Sequence, residues 1–178
     1  MRYCPNCGTP VVWRLEAGRD RPTCPGCGFI HYEDPKLVAI AVIPVEGRLV
    51  FGRRTMNPGI GLWAFPGGYV NRGESVRGAL VREVREETNL DVEAEHLLGL
   101  YSEDDNPIVL AAYVARPVGG QLAVGEEVSE VGLFGPRQLP ELAFPHDELI
   151  LSEWVRYELA LSERASEGSG LRATETRR

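Results

Sequence analysis

The chain reads as an α/β protein preceded by a small metal-stapled module, and three features of the sequence carry that reading. Two cysteine knuckles, Cys4-Pro-Asn-Cys7-Gly and Cys24-Pro-Gly-Cys27-Gly, stand near the N-terminus. β-Branched apolar runs such as LVAIAVIPV follow them, and two amphipathic helical segments, one densely charged, interleave with those runs. The implied organisation is a ribbon over 1–34, a main domain over 35–164 and an unstructured tail over 165–178, where the sequence turns small and polar.

The 178 residues suffice for one well-buried domain plus a small module. Hydrophobic content of 43% and charged content of 25% are those of a soluble globular protein. A net charge of −7 argues against a basic face for nucleic acid or anionic membrane, so nucleic acid is not an expected partner. No run of about 18 apolar residues offers a transmembrane helix, and MRYCPNCG lacks the charged and apolar regions of a secretory signal. The expected location is cytoplasmic.

Cys4, Cys7, Cys24 and Cys27 form two C-x₂-C pairs separated by 16 residues, with no later cysteine. That spacing matches a tetrahedral Cys₄ zinc site, structural because four thiolates leave no open position. A rubredoxin-like iron site has similar knuckles and is the competing reading, whereas disulfides fit a cytoplasmic chain poorly. A ribbon of this size cannot bury enough surface alone, so the metal should supply its folding energy. Val11 to Glu16 reads as a strand, AGRDRP as a turn and His31 as a surface residue.

Leu37 to Val45 is a continuous apolar run, the mark of a strand buried on both faces. Glu46-Gly47 makes a tight turn, and Arg48 to Thr55 returns as a strand on which Arg53 and Arg54 point to opposite faces, one of them toward phosphate in a cleft. Trp63, Phe65 and Tyr69 suit a core, with Trp63 and Tyr69 the candidates for stacking on a bound base. Two further strands run from Asp91 to Tyr101 and from Pro107 to Arg116, joined by the solvated acidic turn Ser102 to Asn106. Gly119-Gly120 marks a turn and Gln121 to Val124 a short strand. Leu149, Ile150, Trp154, Tyr157 and Leu161 give a helix over Asp147 to Arg164 one apolar face for the sheet.

The chemistry concentrates between Gly67 and Leu90. Read as a helix from Glu74 to Thr88, this stretch places Val76, Leu80 and Val84 in one stripe, with Glu83 and Glu87 close to it and Glu86 at its edge. Arg77, Arg82, Arg85 and Glu74 point elsewhere. Carboxylates crowded on the apolar side repel one another and lose solvation, which raises their pKa values unless cations are present. Hard divalent cations, Mg²⁺ or Mn²⁺, suit clustered carboxylate oxygens and leave coordination positions for phosphate. The competing reading, an exposed face of i, i+4 ion pairs, fits less well because these carboxylates lie on the apolar side.

Gly68, five residues, Glu74, seven residues, Arg82-Glu83-Val84, one residue, Glu86-Glu87, one residue and Asn89-Leu90 resemble the signature of the Nudix hydrolases. The one departure is Asn89, where the family usually has glycine; asparagine tolerates the left-handed helix cap better than other side chains. The resemblance implies a Nudix α/β/α sandwich with a mixed sheet behind the ribbon, and metal-dependent hydrolysis of a nucleoside diphosphate joined to another moiety. It also implies that Glu83, Glu86, Glu87 and the Gly67 carbonyl hold Mg²⁺ or Mn²⁺, that one glutamate doubles as base, and that Arg82 and Glu74 support them. In similar proteins the phosphate-facing arginine corresponds to Arg54. A further glutamate about 40 residues beyond the helix is common there; Glu126, Glu127 and Glu130 all lie near enough, and Glu127 is the choice by spacing.

Among zinc-ribbon members, NADH diphosphatases and NAD-cap-removing enzymes carry an S-Q-P-W-type array that LGLYSEDDNPIV lacks. Gly61-Leu62-Trp63, Pro66, Gly68-Tyr69, Gly73-Glu74-Ser75 and Leu142-Ala143-Phe144 instead resemble FAD and ADP-ribose pyrophosphatases. A small-molecule nucleotide, ADP-ribose or FAD, is therefore the expected substrate, with NAD(H) or NAD-capped RNA as the alternative. A ligand-sensing or nucleic-acid-binding protein is the non-enzyme alternative, and a homodimer stays open because dimerisation is common among similar proteins.

Overall fold

The computed structural model describes residues 1–170 and divides into two compact units, Met1–Pro35 and a larger unit from Lys36 onward. In the first, β1 (Val12–Glu16) and β2 (Arg19–Thr23) form an antiparallel hairpin around Ala17-Gly18, both with positive φ. The turn is thus shorter than AGRDRP suggests. Pro22 sits within β2 opposite Trp13, a position an edge strand allows because no neighbour needs its missing N–H.

The larger unit runs β3 (Lys36–Val42), β4 (Pro44–Val45), β5 (Arg48–Arg54), β6 (Trp63–Ala64), β7 (Gly67–Tyr69), α1 (Val76–Thr88), β8 (Leu90–Tyr101), β9 (Ile108–Gly120), β10 (Val128–Phe134) and α2 (His146–Gly170). One sheet has the order β7-β3-β9-β8, in which β3 and β9 are parallel and the outer pairs antiparallel; β10, β5, β4 and β6 make a second, antiparallel sheet. The expected single strand over Leu37 to Val45 is broken. Pro44 lacks the N–H to continue a ladder, and the chain passes there to the second sheet, where Pro44 and Val45 pair with Leu49 and Arg48.

Period-two alternation along β3 divides the core. Ala39, Ala41 and Ile43 join Ala79, Leu80 and Val84 of α1, whereas Ile40 and Val42 join Ile150, Leu151 and Trp154 of α2. The result is the three-layer α/β/α sandwich with a mixed sheet. Helix α2 continues to Gly170, beyond the expected end near Arg164; residues 171–178 of the expected tail lie outside the described residues. Among the described residues no helix is long and apolar enough to cross a membrane.

Two expectations after α1 fail. Strand β9 runs through Gly119-Gly120, and Gln121 to Val124 is a loop rather than a strand. The amides of Ala123 and Gly125 donate to the carbonyls of Thr88 and Glu87, each at 3.0 Å. Carbonyls left open at the C-terminus of α1 take the donors a neighbouring strand would otherwise need.

Candidate active site

Helix α1 is fixed at both ends. Ser75 caps it from an extended backbone, its hydroxyl accepting from the Gly78 amide at 3.0 Å, and Asn89 closes it in the left-handed conformation at φ 59°. The helix therefore begins at Val76, leaving Glu74 in the preceding turn. Leu80, Glu83 and Val84 are all buried.

Arg82 does not point away from the carboxylates, as the helical projection suggests; it joins them. Nε donates to Glu74 Oε1 at 2.9 Å, Nη1 to Glu83 Oε1 at 2.7 Å and to Glu86 Oε2 at 3.0 Å, and Nη2 to the Tyr69 carbonyl at 3.1 Å. A projection places Cα atoms, but a long guanidinium side chain reaches across a full turn. The contact holds the Glu74 carboxyl at about 2 and raises Arg82 above its ordinary value. Glu83 goes the other way: burial raises it, with Arg82 opposing.

Glu87 receives the Gly67 N–H at Oε2, 2.9 Å away. Burial nonetheless pushes its carboxyl up to about 8, reinforced by repulsion from Glu83 and Glu127 and relieved in part by Arg54. Two glycines make this closeness possible. A Cβ at Gly68 would overlap the Glu83 carboxylate, and one at Gly67 would overlap the Ala39 carbonyl of the neighbouring strand. Gly125 does the same for the far loop, where a Cβ would overlap the Glu86 carbonyl.

Glu83 and Glu87 open into a cleft of about 360 Å³ that also takes in Arg54, Gly67, Gly68, Tyr69, Arg82 and Glu127. Glu127 arrives on the loop before β10, which the Thr55 hydroxyl anchors by donating to the Glu127 carbonyl at 2.6 Å. Of the three acidic residues considered there, Glu130 is paired with Arg53 at 2.6 Å. Arg53 and Arg54 diverge as strand alternation requires, and Arg54 is the one in the cleft. Tyr69 is exposed at the cleft wall with Lys36 Nζ over its ring at 5.3 Å. Trp63 is not a cleft residue: it packs edge-on against Phe134 at 4.8 Å within the core. Glu86 is exposed and meets the cleft only through Arg82.

The cluster gathers five carboxylates, Glu74, Glu83, Glu86, Glu87 and Glu127, against two guanidinium groups, Arg82 and Arg54. A carboxylate excess beside backbone oxygen is a donor set for a hard divalent cation. Sequence reasoning missed the buried Asp147, which accepts from the Phe144 amide at 3.3 Å. Burial pushes its carboxyl up to about 7, with the Phe144 amide and Arg54 opposing. Its place at the start of an amphipathic helix reads as an ordinary first-turn acid, so only the fold reveals its burial.

In the N-terminal unit the two knuckles are copies in space. Gly8 N–H donates to the Cys4 carbonyl and Gly28 N–H to that of Cys24. The four sulfurs lie within 4.8 Å of one another, with Cys4 to Cys27 at 3.6 Å and Cys7 to Cys24 at 3.5 Å. Tetrahedral thiolates about 2.3 Å from one zinc are separated by roughly 3.8 Å, so these side chains fit the ion. Among the described residues they are the one group of cysteines, histidines and acids whose donor atoms already converge. The carboxylates of α1 are instead turned to Arg82 and to the Gly67 amide.

Comparison with known proteins identifies the family of both units. Residues 35–155 match the NUDIX domain model and residues 2–33 the Nudix N-terminal zinc-ribbon model. An ADP-ribose pyrophosphatase of Methanocaldococcus jannaschii is 33% identical over 71% of this chain and 76% of its own length. A NAD-capped RNA hydrolase, NudC, of Stutzerimonas stutzeri is 30% identical over 79% of this chain but only 50% of its own, so the chain spans about half of that relative. The crystal structure of a NUDIX hydrolase from Nitrosomonas europaea superposes with a TM-score of 0.79, covering 88% of this chain and 90% of that one at 30% identity. The protein belongs to the Nudix hydrolases and carries the Nudix zinc ribbon ahead of its hydrolase domain.

Proposed function

We propose that this protein hydrolyses the diphosphate linkage of a nucleoside diphosphate derivative, with ADP-ribose the favoured substrate and FAD next, releasing a mononucleotide. The observation that carries the reading is the meeting of buried Glu83 and Glu87 with Glu127 and Arg54 in one cleft. The similarity to the ADP-ribose pyrophosphatase of M. jannaschii supports the choice of ADP-ribose.

Glu83, Glu86, Glu87 and the Gly67 carbonyl are the donors for Mg²⁺ or Mn²⁺, Glu86 by turning its exposed side chain from Arg82 toward the cleft. Such an ion, when bound, neutralises the diphosphate and makes water a stronger nucleophile. Arg54 holds the phosphate oxygens and stabilises the charge that develops as the bridging P–O bond breaks. Glu127 accepts the proton of the water whose oxygen forms the new bond to phosphorus. Arg82, held by Glu74, keeps Glu83 oriented, and Tyr69 is the cleft aromatic that the substrate meets.

The test is release of mononucleotide from ADP-ribose, FAD, NADH and NAD-capped RNA, with and without Mg²⁺ or Mn²⁺. Metal-dependent cleavage of ADP-ribose or FAD above the others supports the reading. Preference for NADH or NAD-capped RNA moves the assignment toward the NAD-capped RNA hydrolases. Tight binding without turnover makes the protein a sensor.

A further inference from the structure

The guanidinium groups at the cleft and beside it differ in what their donors meet. Arg82 gives its donors to Glu74, Glu83, Glu86 and the Tyr69 carbonyl, and Arg53 gives its own to Glu130 and the Gly61 carbonyl. Arg54 is committed at Nε alone, which donates to the Pro58 carbonyl at 2.8 Å. Among the described residues no acceptor takes a hydrogen bond from either of its Nη groups. Two unused charged donors on a cleft side chain suit the oxygens of a phosphate.

The guanidinium is nevertheless held in place, and Phe144 does much of the holding. Its carbon Cζ lies over the Phe144 ring, 4.9 Å from the centroid. The ring in turn stands on a segment fixed from two sides. Ala143 N–H donates to the Trp63 carbonyl at 2.8 Å and Trp63 N–H to the Glu141 carbonyl at 3.0 Å, which docks this segment on β6 beside β5. Asp147 N–H donates to the Phe144 carbonyl at 3.1 Å, and the buried Asp147 carboxyl accepts from the Phe144 amide at 3.3 Å. Both backbone groups of Phe144 are thereby tied to the start of α2. Gly59, at φ 79°, completes the contact: a Cβ there would stand 3.0 Å from that of Ala143 and 3.6 Å from Cδ of Arg54.

We propose that Phe144 is a positioning residue, whose ring fixes the Arg54 guanidinium with both Nη groups left for the diphosphate of the substrate. The proposal rests on the reading of the cleft given above and adds what orients its phosphate-binding arginine. An unrestrained arginine side chain loses about 2 kcal/mol of rotamer freedom when it is ordered. Held on an aromatic face before substrate arrives, Arg54 meets most of that cost in folding, and the ring adds an attraction of about 0.5–2 kcal/mol. A donor already in place also needs no reorganisation as charge develops on the phosphate.

A double-mutant cycle separates a role through Arg54 from a merely structural one. Phe144→Leu is made in the wild type and in Arg54→Ala, and the affinity of all four full-length proteins for ADP with Mg²⁺ is measured by calorimetry, which requires no turnover. Phe144→Leu is expected to weaken ADP binding roughly tenfold in the wild type and by less than about twofold in Arg54→Ala, whereas Phe144→Tyr, which keeps the aromatic face, stays within about twofold of the wild type. Circular dichroism checks each fold, and Phe144→Met replaces Phe144→Leu if the latter does not fold. The same loss in both backgrounds, a loss that Phe144→Tyr shares, or ADP affinity that Arg54→Ala leaves unchanged overturns the proposal. The hydrolysis panel keeps the two claims apart: cleavage of ADP-ribose with additive effects leaves the enzyme and removes the role of Phe144. Coupled effects on ADP affinity without cleavage do the reverse.

Discussion

The backbone N–H of Gly67 donates to Oε2 of Glu87 at 2.9 Å, tying the glycine turn to the helix at a carboxyl that burial pushes up to about 8. A proton must leave that carboxyl before it can serve as a ligand. Affinity for Mn²⁺ should therefore rise with pH up to about 8, by as much as roughly tenfold per unit for one displaced proton. Calorimetric titration of Mn²⁺ at about pH 6, 7 and 8 checks this, and an affinity independent of pH contradicts it.

Among the described residues, Arg82 is the one cation that touches Glu74, Glu83 and Glu86 together. Arg82→Ala leaves the buried Glu83 charge without its partner, and we expect a loss of about 2 kcal/mol, discounted from fully buried pairs because Arg82 is partly exposed. Mg²⁺ should restore part of that loss, since a cation among the same carboxylates replaces the missing charge. Denaturant unfolding with and without Mg²⁺ measures both.

Gly68→Ala drives a Cβ into the Glu83 carboxylate, including the oxygen that accepts from Arg82. The variant should fold, because the turn is short and Gly68 lies in a peripheral strand, yet lose most of its turnover. Circular dichroism beside a steady-state assay separates the two effects; full activity contradicts the close approach.

Asp147 is 1% exposed, and its carboxyl is raised from an ordinary 3.8 to about 7. Between those values the folded state binds more protons than the unfolded chain, so this group makes stability fall as pH rises from about 4 to 7. Asp147→Asn should remove that part of the decline and stabilise the protein at neutral pH, by an amount on the order of 1 kcal/mol or more. Melting temperatures of wild type and variant across that range check it, and parallel curves contradict it.

The frame of this protein was legible where local chemistry decides it. The cysteine knuckles, the left-handed Asn89 cap, the Glu46-Gly47 turn and the Glu83–Glu87 side of α1 follow from spacing and backbone preference alone. What stayed hidden depends on partners far along the chain. Gln121 to Val124 carries a strand-like composition, but its neighbours are the last carbonyls of α1. Trp63 looks equally able to stack on a base or on Phe134, and only the sheet brings Phe134 to it. Helical projection alone misplaces Arg82, because it ignores the length of a side chain that reaches Glu74, Glu83 and Glu86.

The most direct test of the central claim is AMP release from ADP-ribose by the wild type and by Glu87→Gln at saturating Mg²⁺ or Mn²⁺. We expect metal-dependent release by the wild type, and a rate lower by on the order of a hundredfold or more for the variant. The variant should melt no lower than the wild type in metal-free buffer, because the substitution removes a buried acid. Equal rates for the two proteins at saturating metal would contradict the assignment of Glu87, and with it the cleft, as the site of hydrolysis.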